Sequence, residues 1–143
     1  MPIDINLPIF LALVLSYALP QFGKILIIIF KHKQKFKIRD LIVTGGMPSV
    51  HSSIVIGLLT IIGLTEGFST LFYLALAFAA VVLRDAMGVR RTAGEEGRIL
   101  NQVIKKTKVK VPKLHYSLGH TPAQVAVGSI IGFITSYLVF ILI

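Results

Sequence analysis

Two histidines stand in short polar segments that lead directly into apolar runs: Gly45-Gly46-Met47-Pro48-Ser49-Val50-His51-Ser52-Ser53 and Leu118-Gly119-His120-Thr121-Pro122-Ala123-Gln124. A neutral imidazole is a base or nucleophile near pH 7, and an imidazolium is an acid. Pro48 and Ser49 suit the first positions of one helix, and Thr121 and Pro122 suit the N-cap and first helical position of another. A helix N-terminus carries unpaired N–H groups and the positive end of the dipole, so two such starts on one surface favour an anion, phosphate above all. Lys24 and the segment Arg84-Asp85-Ala86-Met87-Gly88-Val89-Arg90-Arg91 add cations at the same level. Lys24 either snorkels to the surface or is buried against a partner. Asp85 is expected to pair with Arg84, Arg90, Lys24 or a histidine. His32 and His115 lack comparable surroundings and read as loop residues.

The elements that position these residues are apolar. The chain has 143 residues, 55% of them hydrophobic and 15% charged, against about a quarter charged in an ordinary soluble domain. Its mean hydropathy of +0.82 agrees. Apolar stretches cover Leu7–Phe30, Val50–Leu64, Phe68–Leu83 and Pro122–Ile143. The outer two exceed the roughly 20 residues that cross hydrocarbon. The middle two are shorter and form either a helical hairpin closed at Thr65-Glu66-Gly67 or a re-entrant pair. The expectation is an all-α integral membrane bundle of about four transmembrane helices, a single domain over residues 1–143, with a basic cytoplasmic loop between helices three and four. Asp4 before the first apolar run and Pro20 within it argue against a cleaved leader, so this segment is read as a mature helix.

Charge sets the orientation. Lys31, Lys33, Lys35, Lys37 and Arg39 fill the first loop, and Arg84, Arg90, Arg91, Arg98, Lys105, Lys106, Lys108, Lys110 and Lys113 the second, whereas the opposite side has no Lys or Arg. The positive-inside rule makes both basic loops and the histidine motifs cytoplasmic and both termini external. Within the second loop, Gly94–Lys106 reads as an amphipathic helix and Lys108–Val111 as extended, on a solvated basic surface beside lipid headgroups. The net charge of +9 flanks the spans without an aromatic-rich basic motif, so anionic membrane lipids are the expected partner and nucleic acid is not. Cysteine is absent, which excludes disulfides and thiolate metal sites. Gly57, Gly63, Gly128 and Gly132 offer small faces for close helix contact, either within one subunit or in a homo-oligomer, a dimer or larger.

The Gly-Gly-Met-Pro-Ser-x-His-Ser, Asp-Ala-x-Gly-Val-Arg-Arg-x-Ala-Gly-Glu and Leu-Gly-His-x-Pro-x-x-Val runs, in this order, resemble the divergent PAP2 family, the small membrane branch related to acid phosphatases and vanadium haloperoxidases. The resemblance extends from Gln21 and Lys24 to Gly128. In the wider superfamily a Pro-Ser-Gly-His element supplies a general acid and a later His-x-x-x-Asp a nucleophile with its orienting carboxylate. Carried over, His51 resembles the acid, His120 the nucleophile and Lys24 the lysine of the first motif. Ser49 and Gly46 would contact phosphate, with Arg90 or Arg91 as the phosphate-binding arginine. Gln124 stands where the superfamily has Asp. Its side-chain oxygen accepts from an imidazole but adds no negative charge, and Asp85 or Glu95 is the acid available to compensate.

The resemblance implies a metal-independent, cofactor-free hydrolase working through a phosphohistidine. A helix start disfavours the imidazolium and keeps His120 nucleophilic. The reacting group would lie at the cytoplasmic headgroup level, which points to a lipid phosphomonoester of the phosphatidylglycerophosphate or phosphatidate type. The alternatives are a polyprenyl phosphate or diphosphate, and a protein that binds anionic lipid without turnover.

Overall fold

The computed structural model describes residues 6–32, 46–107, 109–112, 114 and 119–143. Outside them lie Asp4, the first-loop cations Lys33, Lys35, Lys37 and Arg39, Gly45 and Leu118 of the two motifs, Lys108, Lys113 and His115. The described residues form five α-helices and no strand: α1 (Asn6–His32), α2 (Val50–Glu66), α3 (Thr70–Met87), α4 (Val89–Thr107) and α5 (Pro122–Leu142). Val109–Pro112 has no regular structure and pairs with no strand.

Local chemistry fixes the helix ends. Ser49 caps α2 by accepting from Ser52 N, Ser69 caps α3 by accepting from Phe72 N, and Thr121 caps α5 with Pro122 behind it. Pro48 therefore stands outside α2, because Ser49 takes the N-cap position with extended backbone. Gly67 ends α2 at φ +66°, a conformation glycine adopts without the steric cost of a Cβ. The turn after it folds α2 and α3 into a hairpin.

The amphipathic helix expected within the second basic loop is present and longer than its reading. The basic segment between the third and last apolar helices is mostly α4, which begins at Val89 rather than Gly94. Its boundary with α3 is Gly88, whose N–H donates to Arg84 O at 2.8 Å and whose own carbonyl accepts from Arg91 and Thr92. A side chain at Gly88 would press on the Arg84 carbonyl, so only glycine permits this tight break.

α2 is the centre of the bundle. It packs most extensively on α5, then on α1 and α3, while α4 touches only α3 among the described helices. Being surrounded explains how a helix of 17 residues serves here: protein, not lipid, covers it. α1, α5 and the stretch beginning with α3 are long and apolar enough to cross a membrane.

Between α1, α2 and α5 the interior changes character along the bundle. Toward the turn joining α2 and α3 it is apolar, built on Ala12, Ile61, Ile62 and Val139, with Ala75 of α3 packed against them. Toward the histidine motifs it is polar and small, with Lys24, Ser49, Ser52, Ser53 and His120 all buried. Here the helix backbones nearly touch. A Cβ on Gly128 would overlap the Ser49 carbonyl, one on Gly132 the Ser53 carbonyl, and one on Gly57 the Ser16 hydroxyl. Gly63 faces Phe72. All four small faces thus meet neighbours inside one chain.

Candidate anion site

Three elements bring the two histidines together. The Ser49 N–H donates to Gln124 O at 3.2 Å, tying the start of α2 to the first turn of α5, and His120 N donates to Ala86 O at 3.0 Å, tying the second motif to the end of α3. Gly119 fits against the backbone of Arg91, where any side chain would overlap it. The His51 and His120 rings consequently lie with centroids 6.2 Å apart, inclined at 58°.

His120 is 2% exposed and stands just before the N-cap of α5, not within the helix. Its Nδ1 lies 3.4 Å from Gln124 Oε1. The same oxygen accepts from Thr121 N at 3.0 Å, and Thr121 Oγ1 accepts from Gln124 N at 3.3 Å, a reciprocal capping box. Gln124 is therefore held by the helix start while it orients the imidazole. With the Nδ1 proton on that side, Nε2 is the ring nitrogen left for chemistry. Burial holds His120 below the ordinary histidine value. The hydrogen bonds to the Gln124 side chain and the Gly46 backbone oppose this, while the charges of Lys24 and neighbouring His51 reinforce it.

Lys24 is buried, at 7% exposure, and does not snorkel. It lies within electrostatic reach of both imidazoles. Among the described residues no carboxylate forms an ion pair with it or with either ring. Asp85 pairs with Arg90 at 3.0 Å, one of the four partners open to it, and both groups remain within electrostatic reach of His51. Arg91 points elsewhere, to Glu95 at 3.3 Å. The two arginines thus separate: Arg90 pairs with Asp85 within electrostatic reach of His51, and Arg91 braces α4.

Ser49 is engaged as a fully buried N-cap, its oxygen accepting from Ser52 N at 3.4 Å. Gly46, at φ +79°, belongs to the turn in front of α2. The first N–H groups of α2, at Val50 and His51, have no carbonyl within their own helix, as at every helix start. No group of three His, Asp or Glu side chains suited to a metal ion occurs among the described residues.

Sequence reasoning did not identify Gly119, the Ala86 carbonyl or the buried Ser16 and Ser136 as parts of this architecture. Ser16, Pro20, Gln21 and Lys24 do follow one helical face of α1, so the polar stripe was there to read.

The model of the divergent PAP2 family matches residues 5–135, a stretch that contains Lys24, both histidine motifs, Asp85, Arg90, Arg91 and Gln124. The chain belongs to the divergent PAP2 family. It is 37% identical over 105 residues to the uncharacterized membrane protein YuiD of Bacillus subtilis (strain 168), an alignment covering 62% of this chain and 66% of that relative. The chain thus spans slightly less than two thirds of the relative's length. No solved structure matches. Family and helices agree that this is a membrane protein.

Proposed function

We propose that this family member is a lipid phosphate phosphatase, hydrolysing a phosphomonoester of the phosphatidylglycerophosphate or phosphatidate type at the cytoplasmic face. The observation that carries the reading is a buried ammonium within electrostatic reach of two imidazoles whose rings lie 6.2 Å apart, none of the three ion-paired to a carboxylate among the described residues. A buried cation without a counter-charge is costly, and a phosphate dianion would supply that charge.

In this mechanism His120 Nε2 attacks phosphorus, and the bond from phosphorus to the alkoxide oxygen breaks in line. His51 gives its proton to that oxygen, and the bound dianion supplies the opposite charge that keeps the proton available. Lys24, Arg90 and the first N–H groups of α2 take up charge on the equatorial oxygens, commonly the largest catalytic contribution. Gln124 holds the imidazole tautomer. Deprotonated His51 then activates a water that hydrolyses the phosphohistidine and regenerates His120. The one-sided distribution of Lys and Arg supports a cytoplasmic site with external termini, and the apolar bundle suits an acyl or prenyl tail. A polyprenyl phosphate has the same headgroup chemistry and is the alternative substrate.

A second reading, anion binding without turnover, draws on Gln124, which brings no charge to stabilise a cationic phosphohistidine and shares its oxygen with Thr121 N. Phosphate release by the purified protein from a panel of lipid phosphates separates the readings. Release that disappears in His120→Ala supports the enzyme, equal release by both proteins removes it, and vanadate binding with no release selects the second reading.

A further inference from the structure

α4 has three distinct faces, and only one of them is covered by protein. Gly94 and Gly97 are buried on the packed side. Arg91, Arg98 and Lys105 recur every seven residues along a second side. Val89, Ala93, Leu100 and Val103 form a third, with Ile99 at its edge and Glu96 as the one acid within it; Val89 is 75% exposed and Leu100 51%. An apolar stripe so open on a water-facing helix would be a liability.

Its surroundings identify what covers it. The exposed apolar stripe of α3, Leu74, Phe78 and Val81, runs up to Arg84, and Val89 takes it up again beyond the Gly88 break. At the elbow an open groove of about 600 Å³ is lined by Arg84, Asp85, Val89, Thr92, Ala93 and Glu96. Arg98, Lys105 and Lys106 form no ion pair among the described residues, whereas both acids on α4 lie in its first half, where Glu95 pairs with Arg91. Beyond Thr107 the exposed Val109, Lys110 and Val111 continue the mixture, and Asn101 fastens Leu114 to α4 through two hydrogen bonds of 2.9 and 3.0 Å.

We propose that α4 is an interfacial anchor that lies along an anionic membrane leaflet, its Val89–Leu100–Val103 stripe at the headgroup–acyl boundary and Arg98, Lys105 and Lys106 at the level of lipid phosphate. The inference stands on α4 alone and is independent of turnover. It also gives the anchor a consequence: α4 carries Arg90, and its first turn braces Gly119, so the leaflet holds one wall of the anion site.

The absence of cysteine allows a single labelled position in the full chain. Leu100→Cys and Gln102→Cys proteins, each spin-labelled, are reconstituted in nanodiscs of phosphatidylcholine alone or mixed with phosphatidylglycerol. In the mixed discs the Leu100 label is expected to be accessible to oxygen and shielded from a water-soluble nickel chelate, with the reverse at Gln102. Shielding at Leu100 falls severalfold in pure phosphatidylcholine and in a Lys105→Glu/Lys106→Glu background. Equal nickel access at both positions in the mixed discs overturns the proposal. So does lipid-independent shielding accompanied by label–label broadening, which assigns the stripe to a second copy. The lipid comparison uses the same protein in both arms and does not depend on how the charge-reversed variant folds.

Discussion

The two ends of the bundle interior are built on opposite terms. At the end near the turn between α2 and α3, Ala12, Ile61, Ile62, Ala75 and Val139 pack as an ordinary apolar core. At the motif end, Lys24, His120 and a set of serines occupy the same three-helix interface, and the hydroxyls of Ser16, Ser52, Ser53 and Ser136 have no hydrogen-bond partner among the described residues. Each arrangement has its own cost. Apolar packing stabilises without specifying chemistry, whereas buried polar groups destabilise unless something completes them. The backbone contacts at Gly128 and Gly132 join the two regimes, because they let α5 press against α2 at the first turns that carry the site.

If this division is real, substitutions at the two ends should fail differently. The largest effect is expected at the reacting group: His120→Ala lowers phosphate release by about 10³-fold or more while thermal unfolding in detergent changes little. Lys24→Met is expected to lose roughly 10²–10³-fold in turnover, as removal of a charge-stabilising donor does, yet to raise the unfolding temperature because a buried cation with no ion pair among the described residues is gone. A simultaneous loss of stability would show that Lys24 has a structural partner. At the apolar end, Ile61→Ala should cost about 2–5 kcal/mol of stability and leave kcat per folded molecule intact. Gly132→Ala should cost roughly 1–3 kcal/mol by forcing α5 off the Ser53 carbonyl, with weaker vanadate binding as the readout that links helix spacing to the site.

The smallest effect concerns pH. Because burial holds His120 below the ordinary histidine value, its neutral form persists through neutrality, and kcat/KM should decline only as the pH falls through that lowered value. Gln124→Glu places a carboxylate beside the ring, favours the imidazolium and should move this acid limb to higher pH. An unmoved limb would mean that residue 124 does not face the reacting imidazole.

Much of this was legible in the residues. The apolar runs located α1, α2, α3 and α5 to within a few positions, since hydropathy reports directly on what can face lipid or core. The cap residues Ser49 and Thr121 were readable because capping is local chemistry. The approach of His51 and His120 was inferred only from topology, and the bonds that enforce it, Ser49 to Gln124 and His120 to Ala86, are made by backbone atoms that no residue type announces. The separation of Arg90 from Arg91 is likewise tertiary: adjacent in sequence, they point from successive positions of one helix toward Asp85 and Glu95. Gly128 and Gly132 read as a pair for close helix contact either within one subunit or between copies, and the position of the Ser49 and Ser53 carbonyls gives them a role in this chain's own packing. α4 was underestimated at its start because Val89 through Ala93 reads as basic loop until the stripe it shares with Leu100 and Val103 is seen in three dimensions.

The central claim is that Lys24, His51 and His120 surround one anion. The most direct test follows the imidazole resonances of the full chain by NMR as vanadate is added, with His32 and His115 as internal references. The account predicts that the His51 and His120 signals move together along one saturation curve that weakens in Lys24→Met, while the other two stay in place. Separate midpoints for His51 and His120, or movement of only one of them, would contradict it.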